Sequence, residues 1–230
     1  FEIIETSSLS ISFTIDEISC NGLTDGLAVV SVNGGSGNYT YAWSTGHTYL
    51  SIGNLGPGTY SISVSDDQGC EGYEEFTLTS PPPMALTLFK TDISCHGLVD
   101  GTATASVSGG TGSYNYDWSN GQHNASISGL AAGLHSLTAG DANGCVASGS
   151  ITIVEPSAIS SSVEVTQNET CAGSDGSAVI NAMGGTGNYT YSWSNGASGQ
   201  TATSLSAGVY SVSTIDGNGC VANTSATIEY

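Results

Sequence analysis

Gly34-Gly35-Ser36-Gly37-Asn38-Tyr39-Thr40-Tyr41-Ala42-Trp43 recurs twice along this chain at a spacing of 75 residues. The two further copies run from Gly109 to Trp118 and from Gly184 to Trp193. In each copy a glycine turn precedes Tyr, Tyr and Trp at alternate positions, so the three rings share one face of a predicted strand. A fixed period of this length indicates tandem repeats, and function must be argued from what the copies share.

The period divides the 230 residues into units 6–80, 81–155 and 156–230. Residues 1–5 match the end of each unit in position and alternation, so we predict that they are the terminal strand of a preceding repeat. Pro81-Pro82-Pro83 and Pro156 open the second and third units, where proline stiffens a junction. We therefore expect three tandem domains in an extended rod.

Each unit has the sequence pattern of an all-β domain. Apolar residues alternate over Leu9–Ile15, and again over Ala28–Val32 after a loop that ends in the turn signal Asp25-Gly26. No segment has a convincing 3.6-residue period. Six or seven short strands, with turns about every 8–12 residues, predict a small Ig-like or fibronectin-like β-sandwich in each repeat.

The repeated aromatic face allows two interpretations. Exposed rings would suit a sugar-binding platform, whereas buried rings would pack in the sandwich as the strand-C tryptophan of Ig domains does. The shared face, beside alanine- and valine-rich strands, favours the core. The predicted core aromatics are Tyr41, Trp43, Tyr116, Trp118, Tyr191 and Trp193.

Six cysteines fall two to a repeat, as Cys20 and Cys70, Cys95 and Cys145, and Cys171 and Cys220. An even count at repeated spacing in small domains predicts one disulfide within each repeat, and hence an oxidising compartment. Reduced core cysteines are the alternative. Zinc fits less well, because no histidine recurs beside the cysteines.

Aspartates also recur, at Asp25, Asp100 and Asp175 and at Asp66, Asp141 and Asp216. If the cysteines pair within each repeat, Asp25 comes near Asp66, and two carboxylates with loop carbonyls could begin a calcium site. The alternative is that each aspartate caps its own turn. Calcium usually takes six or more oxygens, so two carboxylates favour the turn interpretation.

The charge balance excludes several function classes. The chain has one lysine, no arginine and 20 acidic residues, for a net charge of −19, so we expect neither nucleic acid nor an anionic membrane as a direct partner. No apolar run is long enough to span a membrane. The four histidines occupy four different repeat positions, without a repeated nucleophile, so we expect neither an enzyme nor a cofactor other than calcium.

The combined motif resembles the SprB-type repeat of very large surface adhesins of gliding Bacteroidota. It consists of Cys with a following Asp-Gly, the glycine and aromatic stretch, a Gly-x-Tyr strand and Asp-x-x-Gly-Cys. The resemblance covers the chain after residue 5. Two departures are His135 in place of the expected tyrosine, and one residue fewer between Cys171 and Asp175.

The resemblance implies export by type IX secretion, display on the cell surface, and filaments that adhere to surfaces and are moved by the gliding machinery. We therefore expect a non-enzymatic stalk segment whose partners are other repeats of the same filament and an unidentified surface or glycan. One alternative is an array of carbohydrate-binding modules. Another is a self-assembling fibre in which residues 1–5 are a strand donated between subunits.

Overall fold

The computed structural model describes residues 8–230, and this part of the protein is all-β. It contains six strands in each repeat. The first repeat has β1 Ser10–Asp16, β2 Gly26–Asn33, β3 Thr40–Trp43, β4 Ser51–Leu55, β5 Gly58–Ser65 and β6 Glu71–Leu78. The second has β7 Ala85–Thr91, β8 Gly101–Ser108, β9 Asn115–Trp118, β10 Ser126–Leu130, β11 Gly133–Gly140 and β12 Val146–Ile153. The third has β13 Ser160–Gln167, β14 Gly176–Met183, β15 Thr190–Trp193, β16 Thr201–Leu205, β17 Gly208–Ile215 and β18 Val221–Ile228.

Every repeat builds two three-stranded sheets with the same order. One sheet joins the first, second and fourth strands, and the other joins the third, fifth and sixth. In immunoglobulin notation these are strands A-B-E and C-F-G, so strand D of the constant-type domain has no counterpart. The predicted all-β, Ig-like sandwich is therefore confirmed. Within the described residues no helix is long and apolar enough to cross a bilayer.

The described residues fall into two compact units. The first contains the described residues up to Thr87 with Ser106–His123 and Leu137–Gly149. The second contains Leu88–Ala105, Asn124–Ser136 and Ser150–Tyr230. The repeat boundaries 6–80, 81–155 and 156–230 stay predictions, and the predicted strand at residues 1–5 lies outside the described residues.

The core of the first repeat lies between its two sheets. Ala28 and Val30 of β2 pack in one cluster with Trp43 of β3 and Ile62 and Val64 of β5. The inward residues are two apart because side chains alternate across a strand. The third repeat repeats this arrangement with Ala178, Ile180, Trp193 and Val212.

The short third and fourth strands decide where the loops of a repeat lie. β3 starts at the glycine turn, beside the Asn33 end of β2, with Thr40 opposite Ser65. β4 starts opposite Val29, in the middle of β2, and ends with Leu55 opposite Gly26. The two strands therefore run in the same direction and together traverse the length of the sandwich once.

The loop between β1 and β2 and the loop between β5 and β6 consequently lie at opposite ends of the repeat. The first loop, with Cys20, precedes Gly26 at one end of β2. The second loop, with Cys70, follows Ser65, whose partner Thr40 lies just after the glycine turn at the other end. Eight residues of strand place these ends roughly 23 Å apart.

Asp25-Gly26 does not form a tight turn. Gly26 is the first residue of β2 and is buried. A Cβ there would lie 2.6 Å from Leu78 Cδ1 and 3.0 Å from the Leu55 carbonyl oxygen. Glycine is needed because the backbone approaches β4 and β6 too closely for a side chain.

Candidate functional site: two disulfide junctions between repeats

The aspartate after each first cysteine folds the loop that carries that cysteine. Asp25 accepts hydrogen bonds from the backbone N–H of Ser19, at 3.1 Å, and from the Ser19 hydroxyl. Asp100 binds Ser94 in the same way. The Ser19 hydroxyl, followed by its amide, holds the pKa of Asp25 below the ordinary value. These aspartates therefore serve as turn caps.

The aspartate before each second cysteine joins that cysteine's loop to the glycine turn. Asp141 is buried and accepts hydrogen bonds from the backbone N–H groups of Thr111, Asn143 and Cys145, at 2.8, 2.9 and 2.9 Å. Asp216 makes the equivalent three bonds in the third repeat. One carboxylate thus fixes two loops, as buried charges require several donors.

The second glycine of each glycine turn makes room for this carboxylate. A Cβ on Gly35 would lie 2.8 Å from Asp66 Oδ2, and its φ of 71° is unfavourable for residues with side chains. Gly110 and Gly185 approach Asp141 and Asp216 in the same way. The glycine and aspartate motifs are therefore one structural device.

The two disulfides join different repeats. Cys20 bonds Cys145, and Cys95 bonds Cys220; the Cα atoms are 5.6 Å apart in both, and the sequence separation is 125 residues in both. The predicted pairing of Cys20 with Cys70 and of Cys95 with Cys145 is therefore wrong. The fold rules out that pairing, because the Cα atoms of a disulfide must lie within about 7 Å of each other and the two cysteine loops of a repeat lie at its opposite ends.

Cys70 and Cys171 have no disulfide partner within residues 8–230. The predicted bond between Cys171 and Cys220 is also wrong, since Cys220 is bonded to Cys95. Cys70 is half-buried and Cys171 is exposed.

An asparagine reinforces each disulfide. Asn143 Nδ2 donates a hydrogen bond to the Ser19 carbonyl oxygen at 3.1 Å in the first compact unit. Asn218 Nδ2 donates to the Ser94 carbonyl at 3.0 Å in the second. Each carbonyl belongs to the residue before a bonded cysteine, so each junction has a covalent and a polar contact between two repeats.

The linker before each repeat is held against the glycine turn of that repeat. The Gly110 N–H donates to the Pro82 carbonyl oxygen at 2.8 Å, and the Gly185 N–H donates to the Ser157 carbonyl at 2.9 Å. Asn21 Nδ2 also donates to the Pro81 carbonyl at 3.0 Å. These bonds order the linker next to the disulfide in both compact units.

The repeated aromatic rings are packed rather than displayed. Trp43, Trp118 and Trp193 are 3–4% exposed. The second tyrosines Tyr41, Tyr116 and Tyr191 are half-buried. Tyr39 closes the glycine turn through a 2.6 Å hydrogen bond from its hydroxyl to the Gly34 carbonyl oxygen. No face built of all three rings is left for a sugar to stack on.

His135 replaces a tyrosine without losing its hydrogen bond. The hydroxyls of Tyr60 and Tyr210 donate to the carbonyl four residues earlier, at 3.0 and 3.1 Å. His135 Nε2 lies 3.0 Å from the Ala131 carbonyl oxygen, at the equivalent place. A carbonyl only accepts, so this histidine carries a proton on Nε2 and has a structural role.

The recurring aspartates could either begin a calcium site or cap turns. Both oxygens of Asp25 accept from Ser19, and Asp66 accepts from three backbone amides. Within residues 8–230 no group of three or more His, Cys, Asp and Glu side chains could hold a metal ion. We expect the melting temperature to be the same in excess EDTA and in millimolar calcium. A melting temperature that is higher in calcium than in EDTA, with the difference lost in Asp66→Asn, would contradict this expectation.

Acid should destabilise the fold through the buried aspartates. The backbone N–H groups of Cys70 and Ser36 hold the pKa of Asp66 below its ordinary value of 3.8. Because the folded pKa is the lower one, the unfolded state binds more protons, and stability falls as the pH drops below about 4. Urea midpoints between pH 6 and pH 2.5 should show this fall, and Asp66→Asn should lose part of it. Asp16→Asn is the control, because it alters an exposed carboxylate at the end of β1. This variant should show the full fall of the urea midpoint.

Solved structures of low similarity include Ig and surface-layer proteins. The N-terminal eight Ig domains of Down Syndrome Cell Adhesion Molecule isoform 1.30.30 match at 14% identity and a TM-score of 0.41, over 94% of this chain and 36% of that chain. Domains 4–9 of the surface layer protein SbsC match at 14% identity and 0.29, over 97% and 47%. A search of curated proteins finds no match to this chain.

The family model of the SprB repeat matches the chain at residues 12–48, 87–123 and 163–198. Each match begins in the first strand of a repeat and ends five residues after its buried tryptophan. It includes the first cysteine and the glycine turn, and it omits the second cysteine. The SprB repeat model therefore matches this chain three times, once in each predicted 75-residue unit.

Proposed function

We propose that this chain is a stalk segment of an extracellular adhesin, in which disulfides between repeats carry mechanical load. The three SprB repeats support an adhesin-type structural segment. The disulfides support an oxidising, extracellular setting, because such bonds are rare in the cytosol. Display at the cell surface, type IX secretion and a role in surface adhesion and gliding are the parts of this proposal that rest on the resemblance.

The observation that carries the proposal is the overlap of the two disulfides. The first spans residues 20–145 and the second spans residues 95–220, so both enclose residues 95–145. Any single break of the backbone between Cys20 and Cys220 therefore leaves the two pieces joined by at least one disulfide. If the disulfides lay within repeats, no disulfide would bridge the linkers, and one backbone break in a linker would separate the chain into two pieces.

The direction of the strands places the entry and the exit of the first repeat at opposite ends of its sandwich. In the first repeat β1 begins with Ser10 opposite Asn33, whereas β6 ends with Leu78 opposite Gly58, near Gly26. The chain enters a repeat at one end of the sandwich and leaves at the other. In the stalk that we propose, the net charge of −19 would oppose side-by-side association of neighbouring chains.

Pulling on the two ends of single molecules tests the mechanical role. In the oxidised chain the shortest covalent route from Cys20 to Cys220 crosses to Cys145, returns over 50 residues to Cys95 and crosses again. At about 3.3–3.6 Å per residue this route allows about 170 Å, against about 690 Å for 200 residues of reduced chain.

The control is a variant in which serine replaces all four bonded cysteines, and it should extend to the longer limit without reductant. Equal extension of the oxidised chain and this variant would contradict the proposal.

Antibodies raised against this chain should also label intact cells that make the parent protein. Labelling only after the cells are permeabilised would contradict the surface location.

A further inference from the structure

The two unbonded cysteines occupy positions at which the other repeats form disulfides. Cys70 corresponds to Cys145 and Cys220, and Cys171 corresponds to Cys20 and Cys95. Both observed bonds join a first cysteine to the second cysteine of the next repeat, with a separation of 125 residues. Cys171 is thus a first cysteine and Cys70 a second cysteine, each without a partner within residues 8–230.

The loop of Cys70 already has the geometry of the bonded loops. Asp66 accepts from the backbone N–H groups of Ser36, Gln68 and Cys70 at 3.0, 2.9 and 2.9 Å. These bonds match those of Asp141 around the bonded Cys145. Gln68 stands where Asn143 and Asn218 donate to the carbonyl before a bonded cysteine. A side-chain amide is therefore in place to reinforce a bond at Cys70.

The loop of Cys171 is held in a similar way, although it is one residue shorter. Asp175 accepts from the Thr170 N–H at 2.7 Å, as Asp25 accepts from that of Ser19. Glu169 also accepts from the backbone N–H groups of Ser174 and Ala207 at 2.8 and 2.7 Å. The exposed thiol therefore sits on a loop that is ordered before any partner arrives.

We propose that Cys70 and Cys171 are the two halves of a third junction, and that each bonds a further SprB repeat in the same register. Between copies of this chain the bond is Cys171 of one copy to Cys70 of the next. This inference rests on the proposed function, because it takes the bond between neighbouring repeats as the unit by which the stalk is extended.

The bond forms by thiol–disulfide exchange with a small-molecule disulfide such as oxidised glutathione. Two cysteine thiols lose two protons and two electrons, the sulfur–sulfur bond forms, and the oxidant is reduced to two molecules of glutathione. The strongly negative copies repel each other, so the reaction should be faster at 0.5 M salt, where the Debye length is only a few ångströms.

Incubating the purified chain with a glutathione redox buffer at 0.5 M salt tests this inference. We expect a ladder of oligomers on a non-reducing gel and Cys70–Cys171 linked peptides by mass spectrometry. Cys70→Ser and Cys171→Ser should each abolish the ladder. Mixing these two variants, one of them carrying a mass tag, should restore a mixed dimer and nothing larger, because one complementary pair of thiols remains.

Several outcomes would overturn the inference. The main product could be a dimer linked through Cys70 to Cys70 or through Cys171 to Cys171. It could also be a monomer, either with Cys70 bonded to Cys171 of the same copy or with both thiols free at saturating oxidant. The same peptide map reports on Cys20–Cys145 and Cys95–Cys220. If these two disulfides were absent, the proposed function would be contradicted. If they were present without a Cys70–Cys171 bond, only this inference would be contradicted.

Discussion

Trypsin should cut this chain once and yet leave it in one piece until a reductant is added. Lys90 is the only lysine and there is no arginine, so cleavage can occur only after residue 90. Cys20 and Cys145 lie on opposite sides of that position and are bonded to each other. After the free thiols are alkylated and the chain is unfolded in urea, the digest should run as one species without reductant. With reductant it should give fragments 1–90 and 91–230.

Two cysteine variants make this experiment specific. Replacing Cys20 and Cys145 by serine should release the fragments without reductant. Replacing Cys95 and Cys220 by serine should not, because that disulfide lies entirely within 91–230. Release of fragments from the unmodified chain would instead support bonds within repeats, since none of those would cross residue 90.

Trp43→Ala should lower the unfolding free energy of the first repeat by about 3–5 kcal/mol. The ring is buried, 6.0 Å from the centre of Phe13 and 6.3 Å from that of Phe76, and its Nε1–H donates to the Tyr49 carbonyl oxygen at 2.8 Å. The substitution leaves a cavity and removes that hydrogen bond. Amide hydrogen exchange in β5 of the first repeat, compared with β17 of the third, would measure the loss locally.

Tyr73→Ala is the matched control, because Tyr73 lies in β6 of the same sheet with 62% of its surface exposed. It should change the free energy by less than about 1 kcal/mol. If the two substitutions had equal effects, Trp43 would not be acting as a core residue. The interpretation of the aromatic face as a binding platform would then have to be reopened.

The sequence contains enough local information to predict the strands and the core. Ala28, Val30 and Val32 alternate because one face of β2 is covered by the other sheet and one is not. The glycines at 35, 110 and 185 recur because each turn accepts a buried aspartate. Such signals depend on neighbours within a strand or a turn, so the repeat, its period and its all-β class can be deduced without a structure.

Asp66, Asp141 and Asp216 show the limit of local inference at the site. Their spacing to the second cysteine predicts a capped loop, and each does accept the backbone N–H of that cysteine. Their bonds to the glycine turn cross 30 residues of sequence, and nothing in the spacing indicates them. The two bonded pairs are both separated by 125 residues, and the two cysteines of the first and second repeats are both separated by 50, so regular spacing does not decide between the two pairings.

What the sequence by itself determines is therefore the repeat, its strands, its buried tryptophan and the presence of paired cysteines. Only the tertiary structure decides which cysteines pair. If every strand reversed the chain, Cys20 and Cys70 would share one end of the sandwich. Because β3 and β4 are short and run in the same direction, the Cys70 loop moves to the opposite end. A disulfide cannot span the length of a strand, so each first cysteine reaches the next repeat instead.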